Sequence, residues 1–272
     1  MLNKKIYILL PDGIGLRNFA YTSFYSLGKE KGYDITFWNH SAFDLSKIGF
    51  DQIMIKDAQL HPLTILLKTA KQRIELNQNL KSSGDAVFST YLFQLNFKGY
   101  KNVIKSALVS WFEFRYGSAS GLRKLNRKLQ QKERSTKYYC DCVKTLKAEK
   151  PAFIFCTNQR TSQAIAPLAA AKDLGIPTAT FIFSWDNLPK ATMVVETDYY
   201  FVWSEHMRDE LLHYYPQITE SRIRITGTPQ FESHFTEELI VPKDDFFRAH
   251  NLDPSKKYIC YSGDDIATSP DD

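Results

Sequence analysis

The chain opens on KIYILL, short and apolar enough for a strand buried on both faces, and turns at DGIG. RNFAYTSFYSLGKEKG then has helical spacing and closes on Gly32, and DITFW returns to strand composition. This order predicts a β-α-β unit, a parallel pair with a right-handed crossover. Residues 51–60 offer a third short strand. From His61 to Glu149 the spacing becomes helical in three stretches: HPLTILLKTAKQRIELNQNL, NFKGYKNVIKSALVSWFEFRYG and GLRKLNRKLQQKERSTKYYCDCVKTLKAEK. On the last, Leu122, Leu125, Leu129, Cys142 or Val143, and Leu146 share one apolar face.

After Pro151 the alternation resumes. AFIFC, TATFIF, DYYFVW and RIRITG read as strands. TSQAIAPLAAAKDLG reads as a helix leaving through Gly175, and SEHMRDELLHYY as a helix with Ser204 as N-cap. The fold class expected is α/β, a Rossmann-like doubly wound parallel sheet with a helical insertion at about 61–149. The polar, proline-bearing segment after Gly227 reads as a connection. KYICYSGDD reads as the first strand and loop of a further domain. A strand and loop cannot stand alone, so residues 1–240 are expected to form one domain and 241–272 the linker and start of a second.

Composition narrows the class. With 272 residues, 43% of them hydrophobic, the chain can bury one substantial core. No apolar run approaches the roughly 20 residues of a bilayer span, and the N-terminus lacks a cleavable leader, so a cytoplasmic protein is expected. The four cysteines have no paired spacing and read as reduced thiols. The net charge is +5, with Lys and Arg concentrated between about residues 98 and 150. No HExxH, GxSxG or Walker-type motif occurs, so no metal held by protein ligands is expected. His206 reads as a surface or packing histidine on its helix sooner than as a catalyst, and His40 and His234 are no more specific.

In an open parallel sheet, ligands gather where strands end and helix N-termini present free donors. Four polar loops fall there. PDGIGLRN offers Gly13 and Gly15 for a tight turn, Asp12 as a general base or a cap, and Arg17 and Asn18 at the helix start. TNQRTSQ offers Asn158, Gln159 and Arg160 for hydroxyls or a phosphate, with Thr161 as an alternative cap. In FSWDNLPK, Trp185 exceeds what a turn requires and suits stacking on a sugar, beside Ser184, Asp186 and Asn187. The plainer alternative is a buried Trp with Asp186 and Asn187 bonding nearby amides. ITGTPQFESH places Thr226, Gly227 and Thr228 at the domain edge.

FSWDNLPK, YYFVWSEHMRDELLHYYP and RIRITGTPQFESHF resemble surface-carbohydrate glycosyltransferases of GT-B architecture, related to the CDP-glycerol glycerophosphotransferase and UDP-N-acetylglucosamine 2-epimerase superfamily, the last two stretches in order and separation. The resemblance covers about residues 150–235 well, the first loop moderately and residues 61–149 not at all. It implies that the chain is the N-terminal, acceptor-binding half of two facing Rossmann-like domains. Asp12, Gly13 and Gly15 would border the cleft, Asp12 taking the acceptor proton. Ser184, Trp185, Asp186 and Asn187 would hold hydroxyls there, and Thr226, Gly227 and Thr228 would lie near the hinge. A nucleotide-sugar would be co-substrate, with a glycan or lipid-linked acceptor. Its binding domain would lie mainly beyond KYICYSGDD, so the chain alone is expected to turn over little.

Trp111, Phe112, Phe114 and Tyr116 with Arg115, Arg123, Lys124, Arg127 and Lys128 combine interfacial aromatics with cations. Peripheral contact with the inner membrane face through residues 98–134 is one expectation; core packing of an amphipathic helix is the other. Two rival functions are a sugar-nucleotide epimerase and a non-catalytic nucleic-acid binder using the basic segment; no nucleic-acid motif occurs, so no such partner is expected.

Overall fold

The computed structural model describes residues 4–261. Its strands are β1 (Lys5–Leu10), β2 (Asp34–Asn39), β3 (Gln52–Met54), β4 (Phe153–Cys156), β5 (Thr178–Phe181), β6 (Tyr199–Val202) and β7 (Ile223–Ile225). They form one sheet in the order β3-β2-β1-β4-β5-β6-β7, every pair parallel. The helices are α1 (Ile14–Phe19), α2 (Phe24–Glu30), α3 (Thr64–Ser83), α4 (Val87–Thr90), α5 (Tyr100–Tyr116), α6 (Ala119–Arg134), α7 (Lys137–Glu149), α8 (Ile165–Asp173), α9 (Glu205–Tyr214) and α10 (Lys243–Ala249). This is the doubly wound, Rossmann-like class the alternation predicts.

The period-two rule of a strand divides the core in two. Tyr7 and Leu9 of β1 join Trp38, Ile154 and Cys156 under the insertion helices and α8, while Ile8 and Leu10 join Ile35, Phe37 and Phe155 under Leu16 and Phe19 of α1. Both faces are covered, so the strands carry continuous apolar runs. Burial pushes the Cys156 thiol up to about 12, and all four cysteines are free thiols.

Helices α3 to α7 fill residues 64–149 between β3 and β4, and all but α4 share one core with α8. Arg134 grips Asp173 of α8 through two bonds of 2.7 and 2.8 Å, and the Tyr139 hydroxyl donates to the same carboxylate at 2.7 Å. Glu133, fully buried on α6, accepts from the His61 amide at 2.9 Å and from the Thr64 hydroxyl, which anchors the start of α3.

Several expected elements differ. The first helix starts at Ile14, not after Gly15, and is interrupted between α1 and α2, where the Thr22 hydroxyl donates to the Asn18 carbonyl at 2.8 Å. The last insertion stretch is two helices, because the Thr136 hydroxyl accepts from the Tyr139 amide at 3.1 Å and caps α7. The polar segment after Gly227 contains α10 and two short 3₁₀ turns. Among the described residues Lys257–Tyr261 forms no strand, and Ile259 is 98% exposed. The rest of that expected strand and loop, 262–272, lies outside the described residues.

Between β5 and β6 the chain crosses without a helix. Residues 192–195 are buried and held by the insertion: Lys71 Nζ donates to the Met193 carbonyl at 2.7 Å and Gln72 Nε2 to the Lys190 carbonyl at 2.9 Å. The chain divides into two compact units after Gln230, so Thr226, Gly227 and Thr228 close the first unit. In the second, Phe247 meets Tyr258 edge-on at 5.5 Å and Phe246 meets His250 at 4.4 Å.

Candidate functional site

All seven strands run the same way, so every strand-to-loop exit opens on one edge of the sheet. The chain leaves β1 toward β2 and β3, then returns on the other side as β4. In sheets of this class such a reversal, here between the loops after β1 and β4, is where the ligand crevice falls. Asp12 and Asn158 meet across it: Asn158 Nδ2 donates to Asp12 Oδ2 at 2.6 Å, and the Ile14 amide donates to Asp12 Oδ1 at 3.1 Å. Asn158 is buried, and its Oδ1 accepts from the Arg160 amide at 3.0 Å. The carboxylate is thus fixed from both loops, while each oxygen keeps a further acceptor position.

Gly15 makes this approach possible. A Cβ there would lie 2.6 Å from Thr157 Cβ and 2.8 Å from Leu10 Cδ2, with Thr157 Oγ1 closer still. Gly13 has room for a side chain, so its role is only the exposed turn. Arg17 lies exposed and reaches Gln230 Oε1 at 3.4 Å, linking the first loop to the turn after β7. Asn18 is buried and accepts from Arg17 Nε at 3.5 Å. The Arg160 guanidinium lies 5.2 Å from the centre of the Phe183 ring, beside the loop after β5.

In that loop, Ser184 donates to Asp186 Oδ1 at 2.6 Å and Asn187 Nδ2 to the same oxygen at 3.1 Å; Lys190 pairs with Oδ2 at 2.5 Å. Burial raises the Asp186 carboxyl, but Lys190, Ser184 and Asn187 outweigh it and hold the group below the usual carboxylate range. Ser184, Asn187 and Lys190 therefore each spend a donor on Asp186, through side chains and not through the nearby amides. Trp185 is not buried: it is 64% exposed, its face open for stacking. The Thr226 amide extends the ladder to the Val202 carbonyl at 2.9 Å, Gly227 takes φ +70°, and Thr228 Oγ1 accepts from the Gln230 amide at 3.4 Å. Thr161 stands at the N-cap position with no capping bond.

Two further residues join this edge unannounced by any local motif. His40, after β2, donates through Nδ1 to the Pro11 carbonyl at 3.0 Å, which fixes its tautomer because a carbonyl only accepts. Lys68 comes from α3 and donates to the Arg160 carbonyl at 2.7 Å. Burial, with Arg160 and Lys71 adding like charge, lowers its ammonium from 10.5 to about 8. Between these values the unfolded chain binds the extra proton, so the stability contribution of Lys68 rises with pH across that window. Reductive ¹³C-methylation followed by NMR is expected to give one lysine resonance titrating near 8, absent in Lys68→Met, whose stability should lack that rise. An unshifted Lys68 resonance would show that the amine is solvated.

Among the described residues, no three His, Cys, Asp or Glu side chains cluster as metal ligands.

The parallel sheet reversing at β1 and β4, with a carboxylate, amides and cations near the reversal, defines a Rossmann-like domain. No protein-family profile and no curated protein sequence matches the chain. Among solved structures, the crystal structure of UDP-GlcNAc 2-epimerase from Neisseria meningitidis bound to UDP-GlcNAc is similar at a TM-score of 0.43 and 12% identity, over 91% of this chain and 53% of that one. The chain spans about half the length of that enzyme. So distant a likeness carries no argument about activity, and the fold class rests on the sheet itself.

Proposed function

We propose that the crevice belongs to a glycosyltransferase that moves a sugar from a nucleotide-activated donor to a hydroxyl of a surface glycan or lipid-linked acceptor. The observation that carries this reading is Asp12 held at the switch point by Asn158 and the Ile14 amide. A carboxylate so oriented acts as general base: it takes the acceptor hydroxyl proton while that oxygen bonds the anomeric carbon and the nucleotide leaves with the electron pair of the broken bond. Trp185 supplies an open aromatic face for a sugar ring, and Arg160 and Lys68 supply cations near the same edge for the leaving phosphates.

The test incubates the full-length protein with UDP-, GDP- and CDP-linked sugars, with and without glycan or lipid-linked acceptors. Acceptor-dependent release of nucleotide is expected. Conversion of a donor into its epimer without acceptor would instead assign the crevice to epimerisation, and no consumption of any donor would overturn both readings.

A further inference from the structure

Helix α5 presents an apolar face to solvent as well as to the core. Ser106, Val109 and Phe112 point inward, packed against α3 and α6. On the opposite side Tyr100, Ile104, Leu108, Trp111 and Phe114 follow one another at intervals of three and four residues, all exposed, with Phe114 at 90% and Trp111 at 52%. Phe93 and Phe97, just before the helix, extend the stripe. The structure therefore corrects the grouping that the aromatic composition suggests: Phe112 is buried and Tyr116 half-buried, so neither reaches a partner. A helix apolar on both sides is unusual on the surface of a water-soluble domain, and an exposed stripe of this kind marks an interaction site.

Charge selects the occupant. Residues 93–116 carry Lys98, Lys101, Lys105 and Arg115 against one acid, Glu113, a surplus of three positive charges. Glu113 is already paired with Arg73 inside the fold. Lys98, Lys101, Lys105 and Arg115 are all exposed on or just before α5. Two copies meeting through this surface would bring like charges together. An anionic bilayer meets both features, taking the aromatic side chains into its interface and pairing its headgroups with the lysines. Among the described residues no helix is long and apolar enough to cross a membrane, so the contact is one of lying on the surface.

We infer that the outward face of α5, with Phe93 and Phe97, is a docking surface for an anionic lipid bilayer. The inference stands apart from the sugar-transfer reading, because vesicle binding requires no substrate. The test is flotation of the full-length protein with phosphatidylcholine vesicles, with and without phosphatidylglycerol. Binding to the anionic vesicles is expected, weakened by added salt and reduced about tenfold or more in Trp111→Ser/Phe114→Ser, while Phe114→Ser alone, at a side chain 90% exposed, should also weaken binding with an unchanged thermal melt. Lys101→Glu/Lys105→Glu should remove the preference for anionic lipid. Failure to bind anionic vesicles, or binding indifferent to the aromatic pair, overturns the inference. So does concentration-dependent self-association that the aromatic variant abolishes, which would make the face a contact between copies.

Discussion

Asp12→Asn is expected to lower the rate of sugar transfer by about 10²–10⁴-fold, the usual contribution of a positioned general base. The substitution keeps the size of the side chain and an oxygen for the Ile14 amide, but removes the charge that accepts the proton. It also sets an amide against Asn158 Nδ2, which now donates to Asp12 at 2.6 Å. Losing that charge-assisted bond should cost only about 1–2 kcal/mol, since a turn of Asn158 can restore part of it. Initial rates and a thermal melt on the same preparation separate the effects. A large loss of rate with a small shift in the melt supports catalysis by Asp12. A shifted melt with an intact rate would make Asp12 only the clasp between the two loops.

Gly15→Ala acts on the same crevice through packing. The new methyl would lie 2.6 Å from Thr157 Cβ and 2.8 Å from Leu10 Cδ2, both on the ends of buried strands or just beyond them. Neither neighbour can swing away, because Thr157 donates through Oγ1 to the Leu9 carbonyl at 3.1 Å and Leu10 lies in the core. Overpacking of this kind costs about 1–3 kcal/mol and forces α1 away from β4. Separating α1 from β4 also stretches the Asp12–Asn158 bond, so activity should fall with stability. Denaturant melts of Gly15→Ala, Thr157→Gly and the double variant check this. The double variant should be less destabilised than the sum of the singles, and strict additivity would rule the contact out.

Much of the fold is legible along the chain. KIYILL, AFIFC, TATFIF and DYYFVW are short apolar runs suited to strands buried on both faces, and each became a strand. Ser204 became the cap of α9, accepting from the Met207 amide at 3.4 Å, as a serine before an amphipathic run implies. The breaks at Thr22 and Thr136 were harder to read, since a hydroxyl that redirects one backbone bond leaves the apolar spacing on either side intact. KYICY shows the opposite failure. It has strand composition, yet among the described residues no strand forms there, because composition alone cannot complete a ladder.

The candidate site divides similarly. Asp12, Asn158 and Trp185 could be picked out because each sits where a strand runs into polar residues. Lys68 could not: it is one of three lysines on α3, and it matters only because the tertiary fold brings it to a carbonyl 92 residues away. His40 is equally silent until its ring meets the Pro11 carbonyl.

By itself, the sequence determined the identity of the strands, the parallel α/β class and the polar character of the loops, because side-chain periodicity and chain breaks are local properties. Only the tertiary structure decided that the loops after β1 and β4 close on each other, that Asp186 is committed to its own turn, and that α5 turns its aromatics outward. These depend on strand order and on which helix face finds a neighbour, and both are set by contacts between segments far apart in the chain.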